Sequence, residues 1–142
     1  MLRIHNFCFL VLFIFLLGCN GGNVPLRGTV TFSDDGSPLT QGTVAFLKDG
    51  KMSRGSINAD GTYIVGTEKA TDGLPPGSYQ VFISSSDKAI PIDEEIGIFD
   101  YVPQIDRRHT RPETSGLTVE VNASTRTFDI QVDRFTGAGG RR

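Results

Sequence analysis

Apolar and polar residues alternate along most of this chain with a period of two. Leu26, Gly28, Val30 and Phe32 fall on one face of an extended segment, with Arg27, Thr29 and Thr31 on the other. Val44, Phe46 and the stem of Lys48 share the next face. Ser53 to Asn58 reads as a short polar strand. Asp60-Gly61, flanked by Ile57 and by Tyr63 and Val65, is a hairpin signal. Tyr79, Val81 and Ile83 alternate with Gln80, Phe82 and Ser84. Leu117, Val119 and Val121 alternate with Thr118 and Glu120, and Phe128, Ile130 and Val132 with Asp129 and Gln131. These runs make seven short strands, and no stretch sustains a period of 3.6. The pattern predicts an all-β chain folded as a β-sandwich.

The joints between the runs carry turn chemistry. Asp34-Asp35-Gly36-Ser37-Pro38 and Asp49-Gly50 supply side-chain acceptors and positive φ. Gly36, Gly61 and Gly77 are placed where tight turns need φ above zero. Pro75 and Pro76 fix φ and lack a donor, so Leu74-Pro75-Pro76-Gly77 stops one segment before the next begins. Tyr63 and Tyr79 are expected at the margin of the core, their hydroxyls reaching backbone or water.

The amino end follows a different pattern. Arg3 is followed by an uncharged apolar run from Phe7 to Leu17, eleven residues long, and then by Gly18-Cys19. A membrane-spanning helix needs ~20 apolar residues, so this run is too short to cross. Charge, apolar run and small residue together read as a secretory leader. Leu16-Leu17-Gly18-Cys19 resembles the lipobox of bacterial lipoproteins. The resemblance implies cleavage between Gly18 and Cys19, removal of residues 1–18, and acylation of Cys19 with palmitate-like chains. Several such chains hold a protein firmly, because each buried methylene contributes ~0.8 kcal/mol. Asn20, where an aspartate would imply retention at the inner membrane, points to the outer membrane. Residues 19–25, with Gly21 and Gly22, are expected to form a flexible tether.

Composition narrows the function classes. Cys8 lies in the leader and Cys19 is the acylation site, so no cysteine remains for a disulfide, a thiolate metal site or a nucleophile. Loss of Arg3 with the leader leaves 13 basic against 16 acidic residues. That mild balance argues against a nucleic-acid partner, whose binders usually present a basic face. The remaining length suits one domain, 26–134, with a single core. A glycine-rich tail, 135–142, is expected to be disordered.

A second resemblance rests on ordered motifs. Gly28-Thr29-Val30, Gly36-Ser37-Pro38-Leu39, Gly42-Thr43-Val44-Ala45-Phe46, Asp60-Gly61-Thr62-Tyr63 and Leu74-Pro75-Pro76-Gly77-Ser78-Tyr79-Gln80-Val81 together resemble the carboxypeptidase regulatory-like domain. The match covers residues 26–84 by motif and the last two strands by pattern. It implies a transthyretin-like (prealbumin-like), seven-stranded Greek-key sandwich. Small bacterial lipoproteins of unknown function are similar throughout, including Ser115-Gly116-Leu117-Thr118-Val119-Glu120-Val121. The fold hosts many functions, so the resemblance is silent on activity.

Residues 85–116 fall outside the strand pattern. A connection of this length within a small sandwich is usually functional or mobile. Asp93, Glu94 and Glu95 come first, then Ile96, Ile98, Phe99 and Tyr101, then Arg107, Arg108, His109 and Arg111. One reading is a ligand-binding loop in which Arg107, Arg108, His109 and Arg111 meet an anionic ligand and Tyr101 helps to line it. The other is a loop packed on the sandwich by its apolar centre, with solvated charges at either end.

Other chemistry finds little footing. Asn58-Ala59-Asp60-Gly61 is similar to the middle of a calcium loop, but Ser56 and Thr67 stand where that loop needs acids, so a turn explains it better. No metal site or cofactor is expected. The mature chain has one histidine, His109, and neither a Gly-x-Ser-x-Gly elbow nor a His-Glu-x-x-His helix. Transthyretin-like hydrolases share the implied fold but use several histidines and a terminal Tyr-Arg-Gly-Ser, where this chain ends Gly-Gly-Arg-Arg. No catalytic residue is assigned. The expectation is a non-catalytic, exported lipoprotein of the cell envelope, held to the membrane by its lipid, that serves as an interaction or structural module toward an envelope protein or a polysaccharide. A carbohydrate-binding module is the first alternative and a transthyretin-like hydrolase the second.

Overall fold

The computed structural model describes residues 22–137. The leader, Gly18, Cys19 and residues 138–142 lie outside them. Nine strands follow in order: β1 (Arg27–Phe32), β2 (Thr43–Lys48), β3 (Lys51–Ser56), β4 (Thr62–Ile64), β5 (Gly77–Ser84), β6 (Lys88–Asp93), β7 (Ile98–Val102), β8 (Leu117–Val121) and β9 (Ile130–Val132). A single turn of 3-10 helix, Arg107–Thr110, stands between β7 and β8. One sheet has the order β4-β1-β9, a second β3-β2-β5-β8, and β6 and β7 form a separate two-stranded ribbon. The chain is therefore all-β among the described residues, and its two larger sheets close on one core as a β-sandwich.

The period-two reading is realised in the facing of these strands. Tyr79, Val81 and Ile83 of β5 are buried while Ser78 and Gln80 are exposed. In β1, Gly28, Val30 and Phe32 point inward. One apolar cluster joins Val30 and Phe32 of the first sheet with Val44, Phe46, Val81, Ile83 and Val121 of the second. Phe46 is its centre. Its ring meets Tyr63 at 6.2 Å, Tyr79 edge-on at 6.3 Å and Phe128 at 6.3 Å. Contacts of this geometry add ~0.5–1.5 kcal/mol each beyond the area they bury.

Both core tyrosines satisfy their hydroxyls on backbone, as their placement in the sequence suggests. Tyr79 donates to the Pro75 carbonyl at 2.6 Å and Tyr63 to the Phe128 carbonyl at 2.5 Å. Burial, then the nearby Asp129 charge, pushes the Tyr63 phenol well above its ordinary value, so it remains a donor throughout the physiological range. Gly28 makes room for this bond. A Cβ there would lie 2.0 Å from the Phe128 carbonyl oxygen and 2.9 Å from the Tyr63 hydroxyl.

Three details refine the expectation. The polar strand runs Lys51–Ser56 instead of 53–58, because Asn58 turns to accept the Gly61 N–H at 2.9 Å. The Asp60-Gly61 turn closes, its Asp60 carboxylate accepting the Thr62 N–H at 3.0 Å and hydroxyl at 2.6 Å. It closes a short hairpin, in which Arg54 and Gly66 exchange both backbone hydrogen bonds at 2.8 Å and the Asn58 N–H donates to the Thr62 carbonyl at 2.8 Å. β3 pairs with β2 while β4 crosses to β1 in the other sheet, so this turn bridges the two layers. Finally, β9 pairs with β1 in parallel, Val30 opposite Ile130 and Phe32 opposite Val132.

The last strand is also tied to the first turn. Arg134 lies over the Phe32 ring at 3.7 Å and donates to the carboxylates of Asp34 and Asp35, each at 2.9 Å. The Ser37 hydroxyl and N–H, helped by Arg134, hold the Asp35 carboxyl down to about 2. Beyond it, the Phe135 N–H bonds the Gln104 carbonyl at 3.0 Å, inside the stretch expected to be tail.

Candidate functional site

Residues 85–116 are built, not loose. β6 and β7 pair antiparallel from Lys88 opposite Val102 to Asp93 opposite Ile98, with an irregularity between Pro91 and Asp93. Asp93 organises the turn, its carboxylate accepting the Glu95 N–H at 3.0 Å, and Gly97 supplies a φ of 70°. The expectation that the apolar centre packs down on the sandwich is overturned. Every residue of β6 and β7 is exposed, with Ile92 at 67% and Tyr101 at 64%, as is Ile96 of the turn between them at 69%. The register explains why no single face could be buried cleanly. Ala89, Pro91, Phe99 and Tyr101 share one side, while Ile90, Ile98 and Val102 share the other with Lys88 and Asp100.

A cleft of about 390 Å³ opens at the root of this hairpin, lined by Ser84, Ser85, Ser86, Asp87, Pro103, Ile105, Arg107, Thr110 and Arg111. Its walls come from the end of β5 and from the 3-10 helix. Asp106 starts that helix, its carboxylate accepting the Arg108 N–H at 2.9 Å. Three residues per turn bring Arg107 and Thr110 to the same side, facing the cleft. Ser85 holds a φ of 55°, which turns the chain sharply out of β5 into the hairpin. Gln104 and Gln41 pin the floor by donating to the Ser86 and Asp87 carbonyls.

Of the residues singled out in the sequence, the structure brings Arg107 and Arg111 together in the cleft. Neither guanidinium has an ion-pair partner among the described residues. Arg108 points elsewhere and pairs with the Asp133 carboxylate. Tyr101 stands on the hairpin and does not line the cleft. His109, within the 3-10 helix, is the residue of that turn that is buried, 4% exposed. Its Nε2 accepts the Asp133 N–H and the Arg108 Nε–H, both at 3.2 Å, and its Nδ1 has no partner. Burial first, then the Arg108 charge, holds the imidazole below its ordinary value, so the neutral ring is favoured. The histidine thus acts as an acceptor that ties the segment just after β9 to the helix. Ser84, Ser85 and Ser86 were not singled out, although the triple serine after an alternating run is a visible signal for a polar mouth.

No protein-family model matches the chain, and no curated protein matches it. Among solved structures it is similar to a DUF3823 family protein from Bacteroides ovatus, with a TM-score of 0.44 and 19% identity over 78% of this chain and 44% of that one. It is also similar to the major pilin subunit of Bacillus cereus, with a TM-score of 0.44 and 16% identity over 80% of this chain and 30% of that one. The chain therefore spans less than half the length of either.

Proposed function

We propose that this protein is a non-catalytic lipoprotein of the cell envelope, a transthyretin-like Greek-key sandwich that offers its β6–β7 hairpin to a protein partner. The observation that carries this reading is the hairpin itself. Seven large apolar side chains, from Ile90 to Val102, are exposed on one small projecting element. An isolated two-stranded ribbon is marginal in water, and a concentration of exposed apolar side chains on one element marks interaction sites. The Greek-key assignment is supported by the Tyr79 hydroxyl reaching back four residues to the Pro75 carbonyl, the arrangement of a tyrosine corner. The non-catalytic assignment is supported by His109, whose accepting nitrogen is already engaged by Asp133 and Arg108.

The anchor is tested at Cys19. Cys19→Ser is expected to accumulate unprocessed precursor and to lose labelled palmitate, and label incorporated at the wild-type level would overturn it. The docking role is tested by Phe99→Asp/Tyr101→Asp. This pair should abolish recovery of a cross-linked partner from membranes while leaving the melt of dilute, unassociated protein unchanged. Undiminished cross-linking would count against the hairpin as the docking element.

A second reading is favoured by the cleft. Two unpaired arginines beside three serines suit an acidic polysaccharide, whose carboxylates they would bind by paired hydrogen bonds. A glycan array comparing wild type with Arg107→Ala/Arg111→Ala decides it, and a wild-type pattern without any acidic glycan would end that reading.

A further inference from the structure

The hairpin is an arm with opposite charge at its two ends. Asp93, Glu94 and Glu95 sit at its turn, and Lys88 sits at its base. Arg107 and Arg111 are also at the base, in the cleft that Asp87 and Pro103 share with them. Asp87 and Asp106 offset part of this charge, yet the base stays net positive. Lys88, Glu94, Glu95, Arg107 and Arg111 have no ion pair among the described residues. Strands of about five residues at ~3.3 Å each make the arm roughly 17 Å long, so its tip cannot neutralise its own base.

The arm's two edges are unequal. β6 contains Pro91, which has no N–H, and the irregularity between Pro91 and Asp93, and both features blunt an edge against pairing. β7 has neither. Its sequence, Ile98-Phe99-Asp100-Tyr101-Val102, is rich in strand formers, and its outer edge pairs with no strand among the described residues.

We propose that the arm's occupant is a second copy of this chain, docked arm against arm in antiparallel fashion, β7 beside β7. Each tip then falls at the other copy's base, with Glu94 and Glu95 meeting Arg107 and Arg111. An arm acidic at one end and basic at the other is complementary to its own reversed copy, which a two-fold interface requires. The apolar row of Ala89, Pro91, Phe99 and Tyr101 becomes continuous across the pair. Asp100 bears on the register, because like charges directly opposite are unfavourable, so the pairing is offset to set Phe99 or Tyr101 against its own copy. This inference rests on the hairpin being the docking element and adds the identity of what docks.

Charge exchange tests it on the full chain purified in detergent, by sedimentation velocity. Wild type is expected to form a reversible dimer. Glu94→Lys/Glu95→Lys and Arg107→Glu/Arg111→Glu should each weaken association by about tenfold or more, through like charges at both contacts. An equimolar mixture of the two variants should recover the dimer, because each tip then meets a base of opposite sign. A monomeric wild type, or a mixture that stays monomeric, overturns the proposal. A photo-cross-linking residue at position 99 in cells separates the failures. An adduct with itself supports a second copy. An adduct with a different protein overturns the second copy but keeps the docking reading, and no adduct overturns both.

Discussion

β5 and β6 are neighbours in sequence, separated by Ser85-Ser86-Asp87, and both are extended and rich in apolar residues, yet they meet opposite fates. In β5, Tyr79, Val81 and Ile83 are buried, and the strand is paired on both sides, by β2 and β8. In β6 all six residues are exposed, and the only pairing strand is β7. The difference teaches that a strand's apolar residues are buried by the layer opposite it, not by the strand. Where the second sheet stops, at the Ser84–Ser86 mouth, the same kind of sequence becomes surface.

That contrast can be broken most forcefully inside the sandwich. Val81→Asp places an unpaired charge in the centre of β5 and should cost several kcal/mol, enough to unfold a small domain. A circular dichroism melt matching wild type would refute the assigned facing. Phe46→Ala removes the ring on which three aromatics converge and should cost ~3–5 kcal/mol, read as a lowered urea midpoint. A smaller effect is expected at the seam between the two regions, through His109. Its folded-state pKa is depressed by burial, so the native state binds fewer protons than the unfolded chain. The stability it contributes is complete above the unfolded value of ~6.5 and declines as pH falls through and below that value toward the lower folded one. Wild type should therefore lose stability on going from pH 7 to pH 5 by more than His109→Gln does, and parallel curves would show that the buried ring does not titrate in this way. The smallest effect belongs to the arm. At protein concentrations too low for association, Phe99→Asp/Tyr101→Asp should move the melting free energy by no more than about 0.5 kcal/mol, the range of ordinary surface substitutions. A large drop at that dilution would mean that the arm is packed on its own sandwich.

The sandwich was legible because its strands bury one face each. Leu26, Gly28, Val30 and Phe32 declare an inward row without any knowledge of what lies opposite. The reason for Gly28 was not legible, since it depends on a Tyr63 hydroxyl and a Phe128 carbonyl that converge only in the fold. The ribbon was hidden for a physical cause. Ala89-Ile90-Pro91-Ile92 is a continuous apolar run with a proline, and Ile98-Phe99 has two apolar residues side by side, so neither shows a period of two. Of the candidate site, the basic cluster was visible but its division was not. Arg107 and Arg108 are adjacent letters that a 3-10 turn sends to different destinations, one to the cleft and the other to Asp133. The clasp of Arg134 on Asp34 and Asp35 joins residues about a hundred positions apart, beyond any local pattern.

The parallel seam between β1 and β9 has a consequence in time. β1 gains this neighbour only when β9, about a hundred residues further on, is available, so the sandwich cannot complete its architecture piecemeal. Joining segments so distant in sequence slows closure, and it leaves β1 without this neighbour until β9 has been synthesised. A chain cut short before Ile130 would expose the flank of β1 and lose Ile130 and Val132 from the interior, leaving a sticky fragment where a finished domain should stand.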